Sequence, residues 1–300
     1  MSKKLMKNVI VSFLLVLSVS FLTFTTQPVM AAETTSWIRG VNLPAIWYDS
    51  QSYSALTDIA NAGFNTVRIV WQTDGSASRL NDFLNKCDNL SLKPIVELHD
   101  FTGGTSSSDI STAVDYWLRS DVFSVIQNHP SVWINIANEW GPSGSTVWRD
   151  AYINAVTRLR NAGYGGAIVI DSGGWGQDAN DILWYAWDII NADPNQNTIF
   201  TIHMYGSWNN NSDIANFLGQ CIDWNIPIII GEFGYNYNNG DNNLGSQVDA
   251  AYLIQYCKDN SIGFIPWSWS GNNSENAWLD MTTDFGSYTW WGNFIVDNMW

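Results

Sequence analysis

Basic residues are scarce in this sequence of 300 residues. It contains 13 lysines and arginines against 28 aspartates and glutamates, which gives a formal net charge of −15. So acidic a surface argues against nucleic acid and anionic membranes as partners, because both would be repelled. A neutral ligand is compatible with this charge, although solubility outside a cell would explain it without any ligand.

Cysteine is also rare. Cys87, Cys221 and Cys257 are an odd number at wide spacing, which argues against a disulfide-stapled or zinc-finger framework. Each lies in a helix-like stretch, where a small buried thiol is the ordinary interpretation. A bridge between Cys221 and Cys257 stays open, since we expect them on neighbouring helices.

Several functional motifs are missing. No Gly-x-Gly-x-x-Gly fingerprint follows the first predicted strand, and no phosphate-binding loop of the Gly-x₄-Gly-Lys-Ser/Thr kind occurs. No Gly-x-Ser-x-Gly elbow of a serine esterase and no cluster of His, Asp and Glu at metal-ligand spacing is found. We therefore expect neither a cofactor nor a metal ion.

The first 32 residues read as a secretory signal peptide. Three lysines precede the apolar stretch Val9–Phe24, and Val29-Met30-Ala31 is a small-residue cleavage pattern, so we expect a cut after Ala31 or Ala32. An uncleaved anchor is the alternative, but the stretch is short and interrupted by Ser and Thr, and no later segment could span a bilayer. Losing three lysines leaves 10 basic residues against 28 acids, hence a charge of −18. The expected product is a secreted, extracellular monomer.

Residues 33–300 have the periodicity of one (β/α)₈ barrel domain. Short β-branched runs alternate with amphipathic stretches, which predicts a parallel sheet with helical crossovers, and the length favours a closed TIM barrel over an open sheet. The predicted strands are Ile38–Leu43, Thr66–Trp71, Pro94–His99, Val132–Asn138, Ala167–Asp171, Thr198–Met204, Pro227–Gly231 and Gly263–Trp267. The predicted helices are Ser52–Ala62, Arg79–Leu90, Asp109–Arg119, Thr146–Asn161, Ala179–Asn191, Ser212–Trp224, Ser246–Asn260 and Thr289–Met299.

Tryptophan is abundant, with 18 residues. Indole faces in loops suit stacking on the apolar faces of sugar rings, by the same amphipathic property that enriches Trp at interfaces. The alternative is that such side chains anchor loops onto the core. Five tryptophans lie in Gly-, Asn- or Ser-rich segments: Trp47, Trp140, Trp175, Trp208 and Trp269.

Two glutamates end apolar runs, Glu139 after Trp133–Asn138 and Glu232 after Ile228–Gly231. A carboxylate costs several kcal/mol to desolvate, so it rarely occupies the tip of a buried strand without a task. Two such tips predict a pair of carboxyl groups that face one cleft. Glycoside hydrolysis needs this arrangement, with one acid to protonate the leaving oxygen and one carboxylate to attack the sugar.

Other polar and aromatic side chains stand at or near predicted strand ends, where barrel enzymes carry their active sites. Taken singly, each could be a structural residue. Their joint occurrence at successive strands favours a site. They are Arg68, His99, Asn138, His203, Tyr205 and Trp267, whereas Asp100 and Asp171 read as hydrogen-bonded strand-end acids.

This pattern resembles glycoside hydrolase family 5, over essentially the whole span Trp37–Trp300. The strings Asn135–Trp140, Gly174–Gln177, Ile202–Tyr205 and Trp267–Trp269 are similar to the bacterial endo-β-1,4-mannanases of that family. The resemblance implies a retaining glycosidase of the (β/α)₈ fold.

The resemblance also implies residue roles. Glu139 would be the general acid/base, protonated when a turnover starts, and Glu232 the nucleophile, kept ionised by Arg68 and Tyr205. Asn138 would bind the sugar 2-hydroxyl. His99 and His203 would hold sugar hydroxyls or orient the glutamates, and Trp267 would stack under the sugar at the cleavage point. Trp47, Trp140 and Trp175 would add binding surface.

The implied activity is endo-hydrolysis of mannan, glucomannan or galactomannan. An endo-β-1,4-glucanase of the same family is the alternative, because the chain departs from the mannanases at positions 43–48, Tyr235, Tyr237 and Ser270. A non-catalytic carbohydrate-binding protein is a further alternative, which the paired glutamates argue against.

Overall fold

The computed structural model describes residues 35–300, so the predicted signal peptide lies outside the described residues, as do residues 33 and 34 at the start of the following domain. Eight parallel strands form one sheet in the order β1 to β8. Arg39 forms a parallel bridge with Phe264, and the Asn42 N–H donates to the Pro266 carbonyl at 3.2 Å, so β1 closes against the β8 segment. The predicted (β/α)₈ barrel is confirmed.

The strands are short and almost entirely buried. Those predicted at Thr66–Trp71 and Thr198–Met204 have these bounds, whereas the fourth and eighth end earlier than predicted, at Asn135 and Phe264. The strands are β1 (Gly40–Leu43), β2 (Thr66–Trp71), β3 (Lys93–Leu98), β4 (Trp133–Asn135), β5 (Ile168–Asp171), β6 (Thr198–Met204), β7 (Ile228–Phe233) and β8 (Gly263–Phe264).

Helices cover the outside of the sheet, and none in the described part of the chain is long and apolar enough to cross a membrane. Side chains of Ser76, Ser145, Asp178 and Asp249 cap four of them. The helices are α1 (Asp49–Asn61), α2 (Ala77–Leu90), α3 (Ser107–Trp117), α4 (Ser120–Asn128), α5 (Thr146–Asn161), α6 (Gly173–Gly176), α7 (Ala179–Ala192), α8 (Asn211–Asp223), α9 (Ala250–Asp259) and α10 (Trp290–Asn298).

The sequence patterns missed two of these helices. The stretch predicted as one helix, Asp109–Arg119, ends as α3 at Trp117, and α4 begins at Ser120 because Arg119 is not helical. The segment α6 is a single turn whose Gly174 and Trp175 have positive φ. Gly63 and Gly163 follow the ends of α1 and α5, both with φ 93°, a conformation that favours glycine.

Two apolar layers hold the barrel. The larger cluster packs helices against the outer face of the sheet, and the smaller one fills the lower interior with residues such as Ile95 and Val169. Cys87, Cys221 and Cys257 are separate buried thiols, so the open possibility of a Cys221–Cys257 bridge is resolved against it. Burial raises the pKa of Cys87 to about 12, which makes this thiol inert.

Candidate active site

The side chains that point into the upper part of the barrel are polar, whereas those in the lower interior are apolar. In β3 the inward side chains are Ile95 and then Glu97, because successive residues point to opposite faces of a sheet. By the same alternation, Asp171 follows Val169 in β5, and His203 lies above the lower layer in β6. Below the site the barrel is therefore apolar, and its upper interior consists of buried charged and amide groups.

A cleft of about 710 Å³ opens above this layer at the carboxyl ends of the strands. This is the end at which barrel enzymes bind their substrates. Its walls mix aromatic rings with amides and the two carboxyl groups of interest. The lining residues are Pro44, Trp47, Tyr48, His99, Asn138, Glu139, Trp175, Gln177, Tyr205, Glu232, Asn243, Leu244, Trp267, Gly271, Asn272, Asn273, Asn276 and Leu279.

Glu139 is held in a strained backbone conformation beyond the end of β4. Its φ is 47°, a left-handed value that costs a non-glycine residue free energy. The Glu139 N–H donates to Asp171 Oδ2 at 3.0 Å, and its carbonyl accepts from the Gly103 N–H at 3.2 Å. These two bonds fix the conformation and aim the carboxylate at the cleft, where Glu139 Oε1 lies 2.8 Å from His203 Nδ1.

Glu232 reaches the same point from β7. The register between β6 and β7 shifts after Ile202, so that Glu232 pairs with His203. Its carboxylate accepts one hydrogen bond from Arg68 Nη1 and another from the Tyr205 hydroxyl, both at 2.9 Å. The side chain is almost entirely buried, with 5% of its surface exposed, and still lines the cleft.

The two carboxyl groups are close together. One ligating atom each from Glu139, His203 and Glu232 lies within 4.8 Å of the other two. Retaining glycosidases separate their carboxyl groups by about 5–5.5 Å, whereas inverting enzymes need about 6.5–9.5 Å to admit a water molecule. The spacing therefore suits direct attack by one carboxylate on a sugar bonded to an oxygen that the other protonates.

Arg68 organises the layer below the carboxyl pair. Besides Glu232, its guanidinium donates to amide oxygens of Asn42, Asn135 and Asn138, at 2.9, 3.0 and 2.6 Å, and to Asp171 at 3.2 Å. Burial lowers the pKa of Arg68, but the surrounding carboxylates outweigh burial and raise it above its ordinary value. Arg68 is a permanent buried cation whose donors are occupied by the groups around it.

His203 is a second buried cation. Burial lowers its pKa, but the charges of Glu232 and Asp171 and the hydrogen bond with Glu139 raise it to about 9. At neutral pH both ring nitrogens are then protonated, which leaves no lone pair for a metal ion. Glu139, His203 and Glu232 lie close enough together to contact one metal ion, a grouping that their spacing in the sequence did not reveal. A protonated His203 disfavours metal binding at this position.

His203 makes stability depend on pH. Its folded pKa of about 9 exceeds the ordinary value of 6.5, so its contribution is complete below pH 6.5 and is lost as pH rises through about 9. We expect the unfolding free energy of wild type, minus that of His203→Gln, to fall by on the order of 3 kcal/mol over this range. Urea titrations at a series of pH values measure this difference. A difference that does not change with pH contradicts the assignment.

Burial acts on Glu232 as well. It raises the pKa of this carboxyl above its ordinary value, while His203 lowers it, Glu139 raises it and Arg68 lowers it. The contacts expected from Arg68 and Tyr205 are present, but their effect is outweighed by burial and by the neighbouring carboxylate. A negative charge on Glu139 therefore favours the neutral form of Glu232.

Trp267 forms part of the cleft floor and is anchored by its neighbours. Its indole N–H donates to Asn272 Oδ1 at 2.8 Å, and its ring stacks on His99 with 6.2 Å between centroids. Asn272 in turn donates from its backbone N–H and its Nδ2 to Asp280 Oδ1, at 3.1 and 2.8 Å, and from Nδ2 to Ser268 Oγ at 2.9 Å. Asn272 thus fixes the plane of the indole.

Asn272→Leu should therefore impair the site while the barrel stays folded. The change removes three side-chain hydrogen bonds, of which the one from the Trp267 indole acts directly on the cleft. Loss of that bond costs about 1–1.5 kcal/mol, so we expect kcat/KM on the substrate proposed below to fall about tenfold. Steady-state kinetics measure the loss, and Asn236→Leu, the same change at an exposed position that does not line the cleft, is the matched control. Equal kinetics of the two variants would show that the indole needs no anchor.

Most predicted site residues line the cleft, but not all. Asn138, His99, Tyr205, Trp47, Trp175 and Trp267 line it, together with both glutamates. The prediction for Trp140 is wrong, because this indole is fully buried and donates to Asp109 Oδ2 at 3.2 Å. Trp208 and Trp269 are core residues too. Arg68 and His203 lie beneath the cleft, so they hold the carboxylates rather than sugar.

Several residues at the site were not predicted from the sequence. Glu97 lies 3.0 Å from His99 Nδ1, and Asn135 donates to Asp171 at 2.9 Å. Asp171 was interpreted as a hydrogen-bonded strand-end acid, which is correct, but its bond to the Glu139 backbone also positions that residue. The available signal was a polar residue at alternate positions of a buried strand. Other cleft residues lie in loops, where no such signal exists: Gln177, Asn243 and Asn276.

Comparisons with known proteins agree on one family. The family model described as cellulase (glycosyl hydrolase family 5) matches residues 27–273. A mannan endo-1,4-beta-mannosidase of Salipaludibacillus agaradhaerens is 35% identical over 269 residues, which is 86% of this chain and 85% of the relative. The structure of the beta-mannanase of Thermomonospora fusca is 34% identical with a TM-score of 0.79, and the match covers 86% of this chain and 88% of that one. A mannohexaose complex of that protein is 33% identical with a TM-score of 0.77 and the same two coverages.

Proposed function

Since this chain belongs to glycosyl hydrolase family 5, we propose that it is a retaining endo-β-1,4-mannanase. It hydrolyses internal bonds of mannan, glucomannan or galactomannan by double displacement. The observation that carries this proposal is the spacing of the Glu139, His203 and Glu232 atoms, all within 4.8 Å of one another in an open cleft. This distance suits a covalent intermediate and is shorter than the separation of about 6.5–9.5 Å with which inverting enzymes place an attacking water.

In the first step Glu139 donates its proton to the glycosidic oxygen as that bond breaks. Glu232 attacks the anomeric carbon at the same time and forms a glycosyl ester. In the second step Glu139, now a carboxylate, takes a proton from water, and the water oxygen displaces Glu232. The new product keeps the original anomeric configuration and both carboxyl groups return to their starting states.

The hydrogen bonds distinguish the roles of the two carboxyl groups. Glu232 accepts from the cationic Arg68 and from Tyr205, and these donors stabilise a negative charge on its two oxygens. These two donors assign the role of nucleophile to Glu232, and they leave Glu139 as the proton donor to the leaving group. His203 is within 3.5 Å of Glu232 and bonded to Glu139, so it balances the charge of the pair through the cycle.

Three of the positions at which the sequence departs from the mannanases do not line the cleft: Tyr235, Tyr237 and Ser270. Tyr235 and Tyr237 do not line the cleft but pack against Trp278, at 5.3 and 5.1 Å between ring centroids. Ser270 is buried and donates to the Thr282 carbonyl at 2.8 Å. The mannanase names of the relatives support mannan as the substrate. Among the departing positions, those whose side chains contribute to the cleft wall are Pro44, Trp47 and Tyr48.

An endo-β-1,4-glucanase is the second candidate, because the matching family model is described as cellulase. Mannan and glucan differ in the configuration of the 2-hydroxyl, which the neighbourhood of Asn138 and Trp267 has to distinguish. Reducing-end release from locust bean gum and from carboxymethylcellulose separates the candidates. Activity on carboxymethylcellulose alone would overturn the mannanase proposal, and proton NMR of the first product anomer would test retention.

We also propose that the protein is exported as a monomer after loss of residues 1–32. The support is the lysine-led apolar leader of the sequence and its small-residue cleavage pattern. Mass spectrometry of protein from the culture medium should find an N-terminus at residue 32 or 33. A cell-associated chain that begins at Met1 would contradict the export proposal.

A further inference from the structure

Three exposed indoles lie together on the outside of the barrel, away from the carboxyl pair. Trp184 and Trp187 are three residues apart on α7, and such residues share a helix face. Trp224 ends the neighbouring helix α8. Their exposed fractions are 59%, 44% and 46%. Full burial of a large apolar side chain contributes about 1.5–3 kcal/mol, so this exposure forgoes a substantial stabilisation.

The indoles are supported from within the fold. The Trp187 indole N–H donates to the Trp224 carbonyl at 3.0 Å, which joins α7 to the end of α8 and leaves the apolar face of Trp187 accessible. Trp184 contacts the edge of Tyr185 with 6.2 Å between centroids, and Tyr185 lies beneath the Arg149 guanidinium at 5.5 Å. Rings supported in this way can bind a flat ligand with little loss of side-chain entropy.

Helix α7, which carries Trp184 and Trp187, begins close to the rim of the cleft. Trp175 and Gln177 line the cleft, and α7 starts two residues later at Ala179. Trp184 also approaches the loop after Glu139, since a Cβ placed on Gly144 would lie 3.4 Å from the Trp184 ring. Helices in this fold run back from the carboxyl ends of the strands, so the indoles descend from the cleft toward the opposite end of the barrel.

The negative charge around the three indoles favours a neutral ligand. Exposed acids Asp188 and Asp223 adjoin Trp187 and Trp224, and Arg149 is paired with Asp188 at 3.5 Å. With a net charge of −15 on the chain, a second copy or an anionic membrane would be repelled. A neutral polysaccharide offers apolar ring faces for the indoles and hydroxyl groups that can donate to the carboxylates.

We propose that Trp184, Trp187 and Trp224 form a second binding surface for a neutral β-linked polysaccharide, continuous with the cleft. This inference rests on the proposed function for the nature of the polymer. The surface holds a segment of the same chain, or of a neighbouring chain, while the cleft cleaves another segment. The step of three residues between the two indoles of α7 advances about 4.5 Å along its axis, so neighbouring rings can contact successive parts of an extended chain.

Affinity electrophoresis in gels that contain soluble galactomannan tests the surface. Glu232→Gln serves as background so that the polymer stays intact, and Trp184→Ala/Trp187→Ala is compared with Trp290→Ala. Trp290 is about as exposed as Trp184, at 62%, but belongs to α10 and stacks on Phe294 of that helix with 5.4 Å between centroids. We expect the double variant to bind about 5- to 10-fold more weakly, and Trp290→Ala to bind as the background does.

Kinetics with the active enzyme separate this surface from the cleft. The double variant should hydrolyse mannopentaose with unchanged kcat/KM and lose rate only on the polymer. Unchanged retardation, or an equal loss in Trp290→Ala, would overturn the proposal, as would a change of oligomeric state by light scattering, which would identify a second copy as the occupant. A chain that is retarded through these indoles but hydrolyses no mannan would overturn the proposed function and leave this surface standing.

Discussion

Glu232→Ala should lower kcat on galactomannan by about 10⁴-fold or more, a loss of the size found when a nucleophile is removed. Arg68, Tyr205 and His203, which contact Glu232, offer no carboxylate that could replace it in the covalent bond. The other carboxyl group, Glu139, acts as the proton donor to the leaving oxygen. At about 1.4 kcal/mol for each factor of ten, the barrier rises by at least about 5.5 kcal/mol. Initial rates of reducing-end release measure the effect.

Two further variants make this result specific. Glu232→Gln keeps an acceptor for Arg68 and should be as inactive while it folds as well as wild type. Glu275→Ala, which removes an exposed glutamate outside the cleft, should retain full activity. Azide should restore turnover of Glu232→Ala with an activated aryl glycoside and yield the inverted glycosyl azide. Full activity of Glu232→Ala would refute the assignment of the nucleophile.

Glu139→Ala should produce the second large effect, and one that depends on the leaving group. The variant lacks the proton donor, so galactomannan, whose leaving group is a sugar alkoxide, should be cleaved about 10³- to 10⁴-fold more slowly. An aryl mannoside with a nitrophenolate leaving group needs no proton in the first step. Its glycosyl-enzyme should form at nearly the wild-type rate and then accumulate, because the second step lacks its base.

Pre-steady-state measurement of nitrophenolate release distinguishes these steps. A burst followed by slow turnover is expected for Glu139→Ala, and azide should accelerate the slow phase and give the product of retained configuration. Equal losses on polymer and aryl mannoside, without a burst, would contradict the role of Glu139 as acid/base. The opposite configurations of the azide products then identify the two carboxyls independently of any rate.

The alternation of strands and helices could be predicted from the sequence, because periodicity is a local property. Thr66–Trp71 and Thr198–Met204 were predicted with their observed bounds, since buried parallel strands are continuous β-branched runs. Polar residues that end such runs are unusual, and in a barrel all strand ends converge. For this reason the sequence could select Glu139, Glu232, His99 and Tyr205 for the site.

Other features depend on contacts that local patterns do not encode. Trp140 and Trp175 occur in similarly Gly-rich segments, but one indole is buried against Asp109 and the other is 58% exposed in the cleft. Loop packing decides between them. Asp171 likewise positions Glu139 by accepting a hydrogen bond from its backbone N–H, although the two residues are 32 positions apart in the sequence.

The sequence by itself determined the fold class and the pair of glutamates, since both follow from hydrophobic periodicity and from the cost of burying charge. The tertiary structure decided that Glu139 and Glu232 approach closely enough for direct attack, that burial raises the pKa of Glu232, and that Arg68 and His203 lie beneath the cleft. These facts depend on strand register and on closure of the barrel. They are set by atoms distant in the chain, whose separation no local pattern specifies.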